Sequence, residues 1–132
     1  MERCNVGVVG TGVMATGTAA LLIGNGYPTV MYGRSEESCS RGMNAVTEIL
    51  DDLIAHGCMS EGQKGKALSL LSVATDYAAL SDCAFVIESA AEMLETKREV
   101  MAKLEAVCSP AAILTSTTSA ISANEIAANM IH

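Results

Sequence analysis

Four short clusters in this sequence carry residue types suited to chemistry. Gly10, Thr11, Gly12 and Ala15 form a G-x-G-x-x-A turn directly after the apolar run Val6 to Val9. Gly33, Arg34 and Ser35 follow the run Thr29 to Tyr32. Glu88 to Ala91 follow Ala84 to Ile87, and Ser116 to Ser119 is an unbroken run of hydroxyl side chains. The first cluster suits phosphate. Gly10 permits a tight turn, Gly12 has no Cβ and lets a pyrophosphate approach the backbone, and the small Ala15 lets a helix pack close to a strand. The free N–H groups at the helix start, around Val13 and Met14, act with the helix dipole to hold the phosphate charge. Strand, turn and helix stand in the order a dinucleotide-binding turn requires.

The second cluster bears on which dinucleotide is held. A turn of this kind usually places Asp or Glu at the end of strand two, where the carboxylate accepts hydrogen bonds from the adenosine ribose hydroxyls. Here that position is Gly33. A carboxylate would repel a 2′-phosphate, whereas Arg34 offers it a forked cation and Ser35 a hydroxyl beside a helix start. Charge-assisted hydrogen bonds of about 1.5–3 kcal/mol correspond to roughly ten- to hundred-fold preference for the phosphorylated cofactor. NADP(H) is therefore the expected cofactor and NAD(H) the alternative. The alternative holds if Arg34 stacks on adenine or faces solvent, or if Glu36 or Glu37 supplies a displaced carboxylate.

The elements that must position these clusters follow from periodicity. Val13 to Asn25 reads as a helix stopped by Gly24-Asn25-Gly26. Thr29 to Tyr32 is strand two. Ser35 caps a long helix with Glu36 and Glu37 in its first turn and an apolar stripe at Met43, Val46, Leu50 and Leu53, closed by His56-Gly57. Ser60 and Gln63 predict a capping box for a short second helix. Strand three lies near Leu70 to Ala74, Asp76 caps a brief turn through Leu80, and Ala84 to Ile87 is strand four. A helix from Glu92 to Cys108 carries Glu95–Arg98 and Glu99–Lys103 at pairing distance, with Leu94, Met101, Leu104 and Cys108 along one face. Strand five spans Ala112 to Thr115. Ser122 and Glu125 predict a last capping box, opening a helix that runs to His132. Strands alternating with helices imply an α/β fold, a Rossmann-type doubly wound parallel sheet with a long helical crossover after strand two. In such sheets ligands lie outside the carboxyl ends of the strands, so all four clusters line one edge.

The 132 residues fit one domain, and half of them are apolar, with one Phe, three Tyr and no Trp, so the core is built of aliphatic side chains and Met. A net charge of −7 argues against nucleic acid or an anionic membrane as partner. The five cysteines are widely spaced without a C-x-x-C pair, which fits a reduced, cytoplasmic compartment. With His56 and His132 as the only histidines no metal site is expected. No signal peptide is read before the first strand, and the run Ala19 to Ile23 is too short to span a membrane.

Three segments together resemble a known family. G-T-G-V-M-A-T-G-T-A (Gly10 to Ala19) resembles the G-x-G-x-M-G-x-G-I-A start of the 3-hydroxyacyl-CoA dehydrogenases. V-I-E-S-A-A-E-M-L-E-T-K (Val86 to Lys97) is similar to their V-x-E-A-x-x-E-x-x-x-x-K segment, and S-T-T-S (Ser116 to Ser119) to their S-N-T-S. The resemblance covers essentially the whole chain. It implies reversible hydride transfer between a nicotinamide cofactor and a 3-hydroxyacyl or 3-oxoacyl thioester. Glu88 and Lys97 would lie near the nicotinamide side of the cofactor, and Thr117 would also bind the cofactor. Ser119 would bond the substrate oxygen and help position a catalytic histidine. Ala15 replaces the family's third Gly, Gly33 its usual Asp and Thr117 its Asn.

The family's catalytic histidine belongs to an H-F-x-N-P motif, and a helical domain completes its acyl-CoA site and its dimer. Neither is found in residues 1–132. Those residues are accordingly expected to be the dinucleotide-binding domain of a longer oxidoreductase, binding cofactor with little turnover alone, and any homo-oligomer would form through the further domain. In that case the last helix would expose apolar surface around Ile126, Met130 and Ile131. Two other readings stand beside this one: a stand-alone nucleotide-binding or sensing module, and the cofactor domain of a related 3-hydroxyacid dehydrogenase.

Overall fold

The structure is a computed structural model, and it describes residues 3–131. Five short strands form one sheet: β1 (Val6–Val9), β2 (Thr29–Tyr32), β3 (Leu71–Ala74), β4 (Phe85–Glu88) and β5 (Ile113–Ser116). Their order is β3-β2-β1-β4-β5 and every pairing is parallel. The chain builds outward from β1 through β2 to β3, then returns to the other side of β1 for β4 and β5. The topological switch point therefore falls between β1 and β4. The register is level: Val6 stands opposite both Thr29 and Phe85, Thr29 opposite Leu71, and Phe85 opposite Ile113. Strands of equal length in level register bring all their carboxyl ends to one line.

Helices cover both faces. On one, α1 (Val13–Gly24), α2 (Glu36–Ala55) and α3 (Glu61–Leu68) bury Ala19, Ala20, Ile23, Val46 and Leu50 against Met31. On the other, α4 (Leu94–Val107), a 3-10 turn (Tyr77–Leu80) and the one-turn α5 (Ala123–Ile126) bury Leu80, Val100, Met101, Leu104 and Ile126 against Val9 and Val86. Both layers are aliphatic, as a chain without Trp requires. The doubly wound sheet and the long crossover helix α2 are as expected.

Local capping chemistry sets the helix boundaries. Ser35 Oγ accepts from the Ser38 N–H while Ser38 Oγ accepts from the Ser35 N–H, a capping box that uses Ser rather than Glu at its third position. Ser60 and Gln63 form the expected box on α3. Asp76 caps the 3-10 turn through the Ala78 N–H. Gly26 closes α1 with φ +82, a left-handed conformation open to Gly.

The end of the chain departs from expectation. Ser122 precedes α5 but makes no side-chain cap bond, and the helix stops at Ile126 instead of continuing. Ile126 is buried and Met130 half-buried against α4 and β5, leaving Ile131 as the exposed apolar residue of the three. The single turn brings Ile126 to the core, and the Ile131 N–H beyond it donates to Glu105 on α4 at 2.6 Å. On α4 the buried face is Lys97, Val100, Met101 and Leu104, with Leu94 half-buried at its start.

Candidate functional site

One hydrogen-bond ladder joins the four clusters. Beyond the ends of the strands, Gly10 N–H donates to Tyr32 O and Gly33 N–H to Ala74 O, each at 2.9 Å. On the other side Ser89 N–H donates to Val9 O and Thr117 N–H to Glu88 O, also at 2.9 Å. The sheet thus continues one step past each strand, and the loops leave it side by side at the carboxyl edge.

At the centre of that edge the glycine turn opens α1. Gly10 has φ +122, and a Cβ there would stand 2.9 Å from Ser89 O, so this position admits only Gly. Gly12 is the N-cap and has nothing within 4 Å of the place a Cβ would occupy. No side chain caps α1 and no acidic residue stands in its first turn. The N–H groups of that turn, at Val13, Met14 and Ala15, thus face an open approach. This donor set fits a dinucleotide phosphate, which needs backbone N–H groups, a positive helix end and room. Ala15 is fully buried, as close packing of helix on strand demands, while the Val13 and Met14 side chains are 89% and 64% exposed.

At the end of β2, Gly33 is buried and Arg34 and Ser35 are exposed. Among the described residues Arg34 makes no ion pair. Glu37, one candidate for a displaced carboxylate, is held by Arg41 at 2.7 Å along α2. Ser35 is engaged as the cap of α2.

At the ends of β4 and β5 lies a buried charge network. Lys97 reaches back from α4 so that Nζ lies 2.8 and 3.0 Å from the two Glu88 carboxylate oxygens, and neither side chain is exposed. Nζ also donates to Ala90 O at 3.3 Å and lies 3.4 Å from Glu92 Oε2. Glu88 accepts further bonds from the Ala90 N–H, at 2.6 Å, and from Ser116 Oγ. Two charges excluded from water are tolerable only when so fully partnered, and no buried side-chain N or O is unsatisfied among the described residues.

The hydroxyl run closes the network. Ser116 bonds Glu88, Thr117 Oγ1 donates to Ser89 Oγ at 3.3 Å, and Thr118 Oγ1 donates to Glu92. That bond, with Lys97 alongside, holds the Glu92 carboxyl below its ordinary range. Ser119 is exposed and its hydroxyl makes no hydrogen bond among the described residues. Three of the four hydroxyls are therefore spent on tying β5 and the loop after it to β4 and the loop after it, and one faces outward. Glu92 carries no role in the reading of the sequence. Its signal was its place as the second Glu of the V-I-E-S-A-A-E segment.

His56 caps the far end of α2 with Nδ1 2.7 Å from Asp52 O, away from this edge, and His132 lies outside the described residues. Among the described residues no group of three or more His, Cys, Asp or Glu side chains could hold a metal ion, and no helix is long and apolar enough to cross a membrane.

A family model described as "3-hydroxyacyl-CoA dehydrogenase, NAD binding domain" matches residues 5–132. The chain belongs to this family. Relatives of the 3-hydroxyacyl-CoA dehydrogenase domain include 3-hydroxybutyryl-CoA dehydrogenase of Bradyrhizobium diazoefficiens, 37% identical over 93% of this chain and 42% of that protein. 3-Hydroxyadipyl-CoA dehydrogenase of Escherichia coli is 34% identical over 95% of this chain and 26% of that protein. The crystal structure of M. tuberculosis FadB2 superposes with a TM-score of 0.93 at 33% identity, covering 96% of this chain and 45% of that one. The chain thus spans less than half the length of these relatives. A peroxisomal β-oxidation multifunctional protein of Arabidopsis thaliana is also similar, 34% identical over 88% of this chain and 16% of that protein.

Proposed function

We propose that this 3-hydroxyacyl-CoA dehydrogenase domain holds NADP(H) along the carboxyl edge of its sheet and forms the cofactor half of an oxidoreductase acting on acyl-CoA. The observation that carries the proposal is the level edge itself: an uncapped, open glycine turn at the switch point, flanked by Arg34 on one side and the Glu88–Lys97 network on the other. The cofactor, when bound, supplies hydride chemistry. The residues of this chain bind and orient it. The N–H groups after Gly10 and Gly12, at Val13, Met14 and Ala15, hold the pyrophosphate. Gly33, Arg34 and Ser35 receive the adenosine end. The exposed Arg34 and the lack of a carboxylate at Gly33 favour a 2′-phosphate over a bare ribose.

The opposite half of the cofactor then lies over β4 and β5. There Glu88 and Lys97 act from behind, because Lys97 spends its three N–H groups on Glu88, Ala90 and Glu92. Their part is to fix the β4–α4 loop, to which Thr117 and Thr118 are hydrogen-bonded, and through it the neighbouring loop that carries Thr117 and Ser119. Ser119, the outward hydroxyl, is the residue that bonds the substrate oxygen in this reading, and its exposure supports that role. The described residues offer no histidine at this edge to move the alcohol proton, which supports a reading in which turnover needs further chain. The acyl-CoA substrate and any dimer belong with that longer protein. Five free cysteines support a reducing compartment, the cytoplasm in this proposal.

The experiment is calorimetric titration with NADPH and with NADH, on the wild type and on Arg34→Ala. NADPH is expected to bind roughly ten- to hundred-fold tighter, and Arg34→Ala to remove the difference. Equal affinities, or a preference for NADH that the substitution leaves intact, would overturn the NADP assignment and leave the family unchanged.

A further inference from the structure

Gly33 is more than a missing carboxylate. A Cβ built at this position would stand 2.7 Å from Ser38 Oγ, 2.8 Å from Cys39 Sγ and 3.1 Å from Thr11 Cγ2. The first two distances are shorter than side-chain contacts permit. All three atoms belong to short side chains with little room to turn away, and Ser38 and Cys39 are buried.

Hydrogen bonds pin two of them. Ser38 Oγ accepts from the Ser35 N–H at 3.0 Å and donates to Ser35 O at 2.8 Å, so it is part of the capping box that starts α2. The Cys39 Sγ–H points to Ala74 O at 3.6 Å, across to the end of β3. Thr11, the middle residue of the G-T-G turn, is wedged from the other side. Its Cγ2 also lies 3.1 Å from the Cβ position of Gly42 on α2. Rotating Ser38 would break its half of the capping box that starts a twenty-residue helix, and shifting Thr11 would move the phosphate turn.

We propose that Ser38 and Cys39, backed by Thr11, are the residues that determine cofactor choice here, by occupying the space that any side chain at position 33 would need. The inference rests on the cofactor-domain reading above. Cofactor selection is in this view not a property of the residue at the tip of β2 alone. A carboxylate cannot be restored there by one substitution, because helix capping has been built into its place. Arg34 and Ser35 then meet the adenosine end by default.

The test compares two substitutions at Gly33, each in two backgrounds. Gly33→Ala adds the Cβ alone, and Gly33→Asp adds the carboxylate. The second background is Ser38→Ala/Cys39→Ala, which removes the two closest atoms and serves as its own reference. In the wild-type background Gly33→Ala is expected to lower Tm by about 5 °C or more. Gly33→Asp is expected to do the same and to gain no affinity for NADH. In the relieved background Gly33→Ala is expected to be nearly neutral in Tm, and Gly33→Asp to bind NADH roughly tenfold tighter than its reference. The proposal is overturned if Gly33→Ala melts with the wild type, or if Gly33→Asp alone gains as much NADH affinity as in the relieved background. Titration of the unsubstituted protein reports separately on the cofactor reading. A wild type without NADPH preference would refute that reading, while the Tm comparison at Gly33→Ala would still decide the packing claim.

Discussion

Lys97 Nζ lies 2.8 Å from Glu88 Oε1, and both side chains are wholly excluded from solvent. The pair links the end of a strand to the first turns of the following helix. It thereby sets the loop between them, which carries Glu92 and receives the bonds of Thr117 and Thr118. A buried pair of this kind contributes little over an apolar replacement, but removing one partner strands the other.

Lys97→Met should therefore destabilise the domain by about 3–5 kcal/mol, since Glu88 is left buried without its cation. Glu88→Gln/Lys97→Met should recover part of that loss. Urea denaturation of the single and double variants measures both. If Lys97→Met cost less than about 1 kcal/mol, the pair would not be holding the loop.

The two glycines of the phosphate turn should behave in opposite ways. Gly12→Ala fits the fold, with φ −80 and open space around the new Cβ, and should change stability by no more than about 1 kcal/mol. It should nevertheless weaken cofactor binding roughly tenfold or more, because the methyl occupies the phosphate approach. Gly10→Ala should lower Tm outright, from φ +122 and the clash with Ser89 O. Thermal melts read alongside titrations separate the two effects.

Glu92 offers a pH signature. Its folded pKa lies below its ordinary value of 4.5, with the Thr118 hydrogen bond as the largest cause. A depressed carboxylate stabilises the fold above its unfolded pKa and loses that contribution as pH falls through the folded one. The stability difference between wild type and Glu92→Gln should hold steady near neutrality and shrink as pH falls below about 4.5. A difference that stays constant down to strong acid would show that the carboxylate charge is not involved. Thr118→Val should show non-additivity with Glu92→Gln, since the two share one bond.

The cysteines should divide by burial. Cys4 and Cys58 are exposed, while Cys39, Cys83 and Cys108 are buried. Burial pushes the Cys83 thiol up to about 11 and raises Cys108 as well. A chromogenic disulfide reagent at neutral pH should titrate two thiols rapidly in the native protein and the remaining three only on unfolding. Rapid reaction of all five would mean that the core opens easily.

The sequence by itself determined the strands, the long helices, the glycine turn, the Ser60–Gln63 box and the common edge. These rest on local rules: an apolar run of strand length, a helical period, and the need for Gly where the backbone turns or is approached. Three things were decided by tertiary structure alone. Lys97 is buried because α4 folds back to set it against Glu88 at the end of β4, and burial of a charge depends on a partner that helical spacing alone does not supply. The last helix is a single turn that packs Ile126 against α4, and the chain beyond it is tied to α4 by the Ile131 N–H donating to Glu105. The space at Gly33 is closed by Ser38, Cys39 and Thr11, which approach it from a helix and from a neighbouring loop. Local pattern records which groups a chain offers. Which of them are free to meet a ligand and which are consumed by one another is settled by long-range contacts, and the hydroxyls from Ser116 to Ser119 divide on that ground.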